Sequence, residues 1–71
     1  MYAVVLTTDN GGCESVNVYI NEEKAVQSAM GLCAEYGIEY PEEAQEDAAM
    51  WDPGYSNETY IICIKETEIT Y

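Results

Sequence analysis

The chain has 71 residues and sets 14 acidic side chains against two lysines, with no arginine and no histidine, for a formal net charge of −12. Direct nucleic-acid or anionic-membrane binding is excluded for the bare chain, because both need clustered Lys and Arg. The missing histidine removes the commonest general base, the classical triads and His-based metal sites.

The length predicts one domain over 1–71. A fold of this size buries only about 60% of the surface its unfolded chain exposes, which leaves room for one sheet and one or two helices. Hydrophobic residues make up 48% of the chain, with seven Tyr, one Trp and no Phe, so a packed core is expected rather than a disordered tail.

Residues 2–7 (Tyr-Ala-Val-Val-Leu-Thr) read as a buried strand, and Thr8-Asp9-Asn10-Gly11-Gly12 as a turn. Residues 14–20 alternate, with Val16, Val18 and Ile20 on one face and Ser15, Asn17 and Tyr19 on the other. A half-exposed strand and a β-hairpin over 2–20 follow. Asn21 before Glu22-Glu23 is a helix start, since Asn caps the free amides and the acids suit the positive end of the dipole.

Ala25, Val26, Ala29, Met30, Leu32, Cys33 and Tyr36 recur at helical spacing and predict a helix over 22–36, closed by Gly37 with Ile38 packing back. Pro41 suits a first helical position, and Ala44, Ala48 and Trp51 could form a narrow apolar stripe on a short helix at about 42–50, stopped by Asp52-Pro53-Gly54. Glu42, Glu43, Glu46 and Asp47 crowd one another there, so an ordered loop with one or two turns is the alternative.

Residues 58–65 read as a third strand, with Tyr60, Ile62 and Ile64 on one face and Ile61 and Cys63 on the other. The alternation continues from Thr67 to Tyr71, as in a long or bulged strand. The expected fold is α+β: a small antiparallel sheet of about three strands in the order β-β-α-(α)-β, covered on one face by the main helix. The first strand should lie between the other two. Two edges and an open face make a homodimer through the sheet an expectation.

Between Glu35 and Glu58 stand eight acids (Glu35, Glu39, Glu42, Glu43, Glu46, Asp47, Asp52 and Glu58) and no cation. Tyr36, Tyr40, Trp51 and Tyr55 are interleaved with them. On a helix, side chains four apart lie about 6 Å from each other, a spacing comparable with that of successive phosphates. Glu39, Glu43 and Asp47, or Glu42 and Glu46, would then form a phosphate-like row for a basic protein surface, with the rings as anchors. A merely solvating acidic face and a cation site are the competing readings.

Asp9-Asn10-Gly11-Gly12-Cys13-Glu14 lacks the pattern of a calcium loop and reads as a hairpin turn. Cys13, Cys33 and Cys63 are odd in number and without a C-x-x-C pair, as in a reduced cytosolic protein, and read as core thiols with Cys13 nearest the surface. No catalytic set, metal ligand set or cofactor is expected, and the chain is not read as an enzyme. Lys24 and Lys65 read as local charge relief, and the sequon Asn57-Glu58-Thr59 as incidental.

In size and charge, carried by the stretch Glu35 to Glu58 with Tyr36, Tyr40, Trp51 and Tyr55, the chain resembles small acidic phage-encoded inhibitors. Anti-CRISPR proteins and DNA-mimic anti-restriction proteins are of this kind. The resemblance implies stoichiometric blocking of a basic nucleic-acid-binding protein or ribonucleoprotein complex in the host cytoplasm, without catalysis. The contact would use Glu35, Tyr36, Glu39, Tyr40, Glu42, Glu43, Glu46, Asp47, Trp51, Asp52 and Tyr55. The alternatives are a small accessory protein that homodimerises through its sheet and an antitoxin-like neutraliser.

Overall fold

In the computed structural model, which describes residues 1–67, strands β1 (Tyr2–Thr8) and β2 (Cys13–Tyr19) form the expected antiparallel hairpin. Its turn is closed by the Thr8 amide donating to the Gly12 carbonyl at 2.7 Å and the Gly11 amide to the Thr8 carbonyl at 3.0 Å. The Thr8 hydroxyl also donates to Asn10 Oδ1.

Helix α1 (Glu22–Tyr36) has the expected bounds. The Asn21 side chain accepts from the amides of Glu23 (2.8 Å) and Lys24 (3.3 Å), satisfying two of the free donors of the first turn. Gly37 turns left-handed at φ 72°, and the Ile38 amide bonds back to the Cys33 carbonyl at 2.9 Å.

Residues 42–50 do not form one α-helix. Two single 3-10 turns, Glu42–Gln45 and Ala48–Trp51, take its place. Four acids without a cation disfavour a continuous helix here. Asp47 breaks it: its backbone is extended, and its carboxylate accepts from the Ala49 amide at 2.9 Å to cap the second turn.

The sheet then closes with β3 (Tyr55–Ser56) and β4 (Tyr60–Glu66) in the antiparallel order β2-β1-β4-β3. β1 lies between β2 and β4, as expected, and β3 is an additional two-residue edge too short to leave an alternating signal. β4 starts at Tyr60 because Asn57 makes the preceding turn, its Oδ1 accepting from the amides of Thr59 (2.8 Å) and Tyr60 (2.7 Å). The Thr67 amide still reaches the Met1 carbonyl at 2.7 Å, and the expected extension to Tyr71 otherwise lies outside the described residues.

One face of the sheet meets α1. Val4 and Leu6 of β1 and Ile62 and Ile64 of β4 are buried against Ala25, Val26, Ala29 and Cys33. The two alanines keep the helix close to the strands. Ala44, Ala48 and Trp51 from the 3-10 turns fill the rest, and Trp51 is fully buried.

β2 faces the opposite way from its hydropathy. The register pairs Val4 with Asn17 and Tyr2 with Tyr19, so Asn17 and Tyr19 share the helix side. The Tyr19 hydroxyl hydrogen-bonds Ser28 Oγ at 3.0 Å across that side. Val16 and Val18 stand on the open face, where three rows run across the strands. Val18, Ala3 and Lys65 form one, and Val16, Val5 and Cys63 the next. Cys13, Thr7 and Ile61 form the third, with Glu14 as the extra residue of a bulge between Cys13 and Ser15. The buried pairs of β1 and β4 fix this register, since a one-residue slip of β1 would turn Val4 and Leu6 outward.

Gly54 has φ 111°, and a Cβ there would strike the Ile62 carbonyl and lie 2.7 Å from Cys63 Cβ. Gly37 is also left-handed but faces open space. Gly54→Ala is therefore expected to cost about 3 kcal/mol or more and Gly37→Ala about 1 kcal/mol. Urea unfolding of the two variants checks the order, and equal losses would contradict the close approach at Gly54.

Candidate protein-binding surface

The acids of the first turn of α1 and those of the first 3-10 turn meet across a groove. Asn21, Glu22, Glu23, Val26, Gln45 and Glu46 line it, and it shares Gln45 and Glu46 with a smaller depression lined also by Glu42 and Glu43. Neither contains a lysine among its lining residues. The joint is made by Glu22, whose carboxylate accepts from the Ala48 amide at 3.0 Å. That bond spans 26 residues of chain and ties the start of α1 to the second 3-10 turn.

Of the acids singled out from the sequence, Glu42, Glu43 and Glu46 are brought together, with Asp47 next in the chain. All four are exposed. Glu35 is exposed but sits in the last turn of α1, about 20 Å along the helix from Glu22. Asp52 is exposed on a different depression, beside Ala48, Ala49, Ile64 and Glu66. Glu39 is exposed and lines neither part of the groove. Glu22 and Glu23 are members that the sequence reading assigned only to helix capping. Local spacing carried no sign of them, because the contact with residue 48 is long-range.

The rings are placed differently from the acids. Trp51 is fully buried and its indole Nε1 donates to the Ala44 carbonyl at 2.7 Å, so it stands in the core and not at a contact surface. Tyr40 lies against it with ring centres 5.4 Å apart, and Tyr55 meets it edge-on at 5.0 Å. Tyr36 stacks on Tyr60 at 4.6 Å. Tyr36, Tyr40 and Tyr55 are each half-buried and pack on the core, and none of them lines the acidic groove. Asn57 joins these parts from below: its amide nitrogen donates to the Tyr36 carbonyl at 2.7 Å, tying the end of α1 to the β3–β4 turn.

Chemically, such a surface accepts. Exposed carboxylates offer Coulomb attraction and hydrogen-bond acceptors to Lys and Arg, and no nucleophile stands among them. Among the described residues no group of three or more His, Cys, Asp or Glu side chains stands close enough to hold a metal ion. Among the same residues no helix is long and apolar enough to cross a membrane. No protein family, curated protein or solved structure matches the chain.

The thiols lie apart from the acidic groove. Cys33 and Cys63 are buried and Cys13 is exposed. Burial pushes the Cys33 thiol from the ordinary 9.0 up to about 11. Cys63 is raised too, first by burial, with Lys65 lowering it and Asp52 raising it.

Between 9.0 and about 11 the folded chain keeps the Cys33 proton while the unfolded chain gives it up. Stability is therefore full below pH 9.0 and falls as pH rises through that window, an effect that urea titrations at several alkaline pH values measure. At about pH 8, a thiol-reactive chromophore is expected to label Cys13 quickly and the other two cysteines only after denaturant is added. Fast labelling of all three in the native state would contradict the burial.

Proposed function

We propose that the chain is a non-catalytic, stoichiometric inhibitor that occupies the basic nucleic-acid channel of a partner protein or ribonucleoprotein complex, in the manner of anti-CRISPR and other DNA-mimic proteins. One observation supports this reading above the others: acids distant in the chain, Glu22 and Glu23 on α1 with Glu42 and Glu43 on the first 3-10 turn and Glu46 just after it, converge on adjoining depressions with no lysine in their lining. A solvating charge needs no such convergence.

The 3-10 geometry suits the role in its own way. With a rise of about 2 Å per residue, side chains three apart stand about 6 Å from each other along the axis and nearly in line. Glu43 lies inside the turn and Glu46 directly follows it, three residues on, so their carboxylates offer neighbouring charges to Lys and Arg placed for phosphates. The one-sided field steers encounter, and direct carboxylate–guanidinium pairs set the register. Tyr40 and Tyr55 pack on Trp51 and line neither part of the groove, so the proposed contact rests on the acids.

Glu42, Glu43 and Glu46 are exposed, and Glu46 closes the first 3-10 turn through its backbone amide and not its carboxylate, so Glu42→Lys, Glu43→Lys and Glu46→Lys together leave the fold intact. Asp47 is omitted because it caps the second 3-10 turn. With immobilised wild-type chain and a bacterial lysate, nucleic-acid-binding proteins are expected on the wild type and not on the triple variant. Their release by salt should be steep, and duplex DNA should displace them. Proteins retained equally by both chains, and indifferent to DNA, would sink the mimic reading.

A further inference from the structure

Of the 14 acids, only Asp9 and Glu14 precede residue 22. The hairpin is therefore the charge-poor part of the molecule, and its open face is apolar. Val16 is 53% exposed and Val18 50%, beside half-buried Val5 and Ile61 on the neighbouring strands. Neither α1 nor the 3-10 turns lie over these two valines, which point away from the helix side.

The same face carries Lys65, one of the chain's two cations, at one corner. At the diagonally opposite corner Cys13 pairs with Thr7, and Glu14, the bulge residue beside it, continues the alternation of Val16 and Val18; Lys65 shares the far row with Val18 and Ala3. The other diagonal, Val18 to Val5 to Ile61, is uncharged.

We infer that this face binds a second copy of the chain. The charge pattern selects that occupant. A two-fold axis along the uncharged diagonal maps each copy's Lys65 corner onto the other's Glu14 corner, so both ion pairs form at once, as an isologous interface requires. The valines meet across the axis, with the two sheets stacked about 10 Å apart and their strands crossing nearly at right angles. A basic partner would find a lysine on this face, and an acidic one would find a glutamate. The acidic groove of each copy stays outside the interface, since it belongs to the helix side.

The two surfaces respond to salt in opposite senses. Bringing together two chains of charge −12 is opposed by repulsion between the acidic sides, so added salt favours the apolar contact between copies. Binding of a basic partner by the groove weakens with salt.

Sedimentation equilibrium of the full chain at rising salt tests the inference. The wild type is expected to dimerise, more tightly as salt rises through the moderate range. Val16→Lys with Val18→Lys should be monomeric, with an unchanged circular dichroism spectrum, because both positions are exposed. Lys65→Glu should weaken the dimer about tenfold or more by setting Glu against Glu14 of the other copy. Lys65→Glu combined with Glu14→Lys keeps the net charge of −12 and should restore the dimer.

A wild type that stays monomeric at high concentration and high salt overturns the inference. So does a dimer indifferent to Val16→Lys with Val18→Lys, which would point to pairing through the outer edge of β2. A charge swap that fails to restore what Lys65→Glu removes also overturns it. None of these outcomes bears on the groove, whose partner binding is measured separately.

Discussion

The indole of Trp51 is the contact through which the most acidic part of the chain is joined to the rest. Its ring is fully buried, its Nε1 is satisfied by the Ala44 carbonyl at 2.7 Å, and Tyr40 and Tyr55 pack on it. A buried N–H without a partner would cost 1–3 kcal/mol by the usual order of magnitude, about as much as a small fold can spare. The bond does two things. It makes burial of the ring permissible, and it draws the first 3-10 turn onto the second so that Ala44 and Ala48 enter the core together. Glu42, Glu43 and Glu46 are left at the surface by the same placement, each within two residues of a buried alanine.

Charge repulsion then explains why the segment is shaped as it is. Four acids within six residues cannot share a regular helix cheaply when no cation stands among them. Two separate 3-10 turns let Asp47 spend its carboxylate on the Ala49 amide, and Glu22 supplies the acceptor for the amide of Ala48. Glu22 and Asp47 are thus used as acceptors where the backbone leaves donors free, and both stay exposed alongside the other acids. The groove between α1 and the first 3-10 turn is a consequence: Glu22 is held at its edge by a bond that serves the fold.

Much of this was legible in the sequence. The bounds of α1 followed from Asn21, the two acids after it and Gly37, each of which acts through its own backbone neighbourhood. The hairpin and the central place of β1 followed from turn chemistry and from the continuous apolar run of residues 2–6. What was not legible depended on distant partners. The orientation of β2 is set by register against Val4 and Leu6, and its own alternation of valines points the other way. The sequence placed Trp51 both beside Ala44 and Ala48 in an apolar stripe and, because it lies between acids, among surface anchors; its burial with the two alanines is decided by the Ala44 carbonyl and the tyrosines packed on it. β3 has two residues, fewer than any periodicity can register.

The inverted strand and the acidic groove belong to one arrangement. A chain with this little cationic charge has few ways to hide apolar surface without bringing acids together. Turning Val16 and Val18 away from the helix places them on the side from which the acids of the 3-10 turns are absent. Had β2 shown its valines to α1, the open face would carry Asn17 and Tyr19, and no apolar patch would lie apart from the charge. The register therefore separates the molecule into a side on which carboxylates accumulate and a face on which they are nearly absent. Two kinds of association then become compatible in one 71-residue fold: an electrostatic one that salt weakens and an apolar one that salt strengthens.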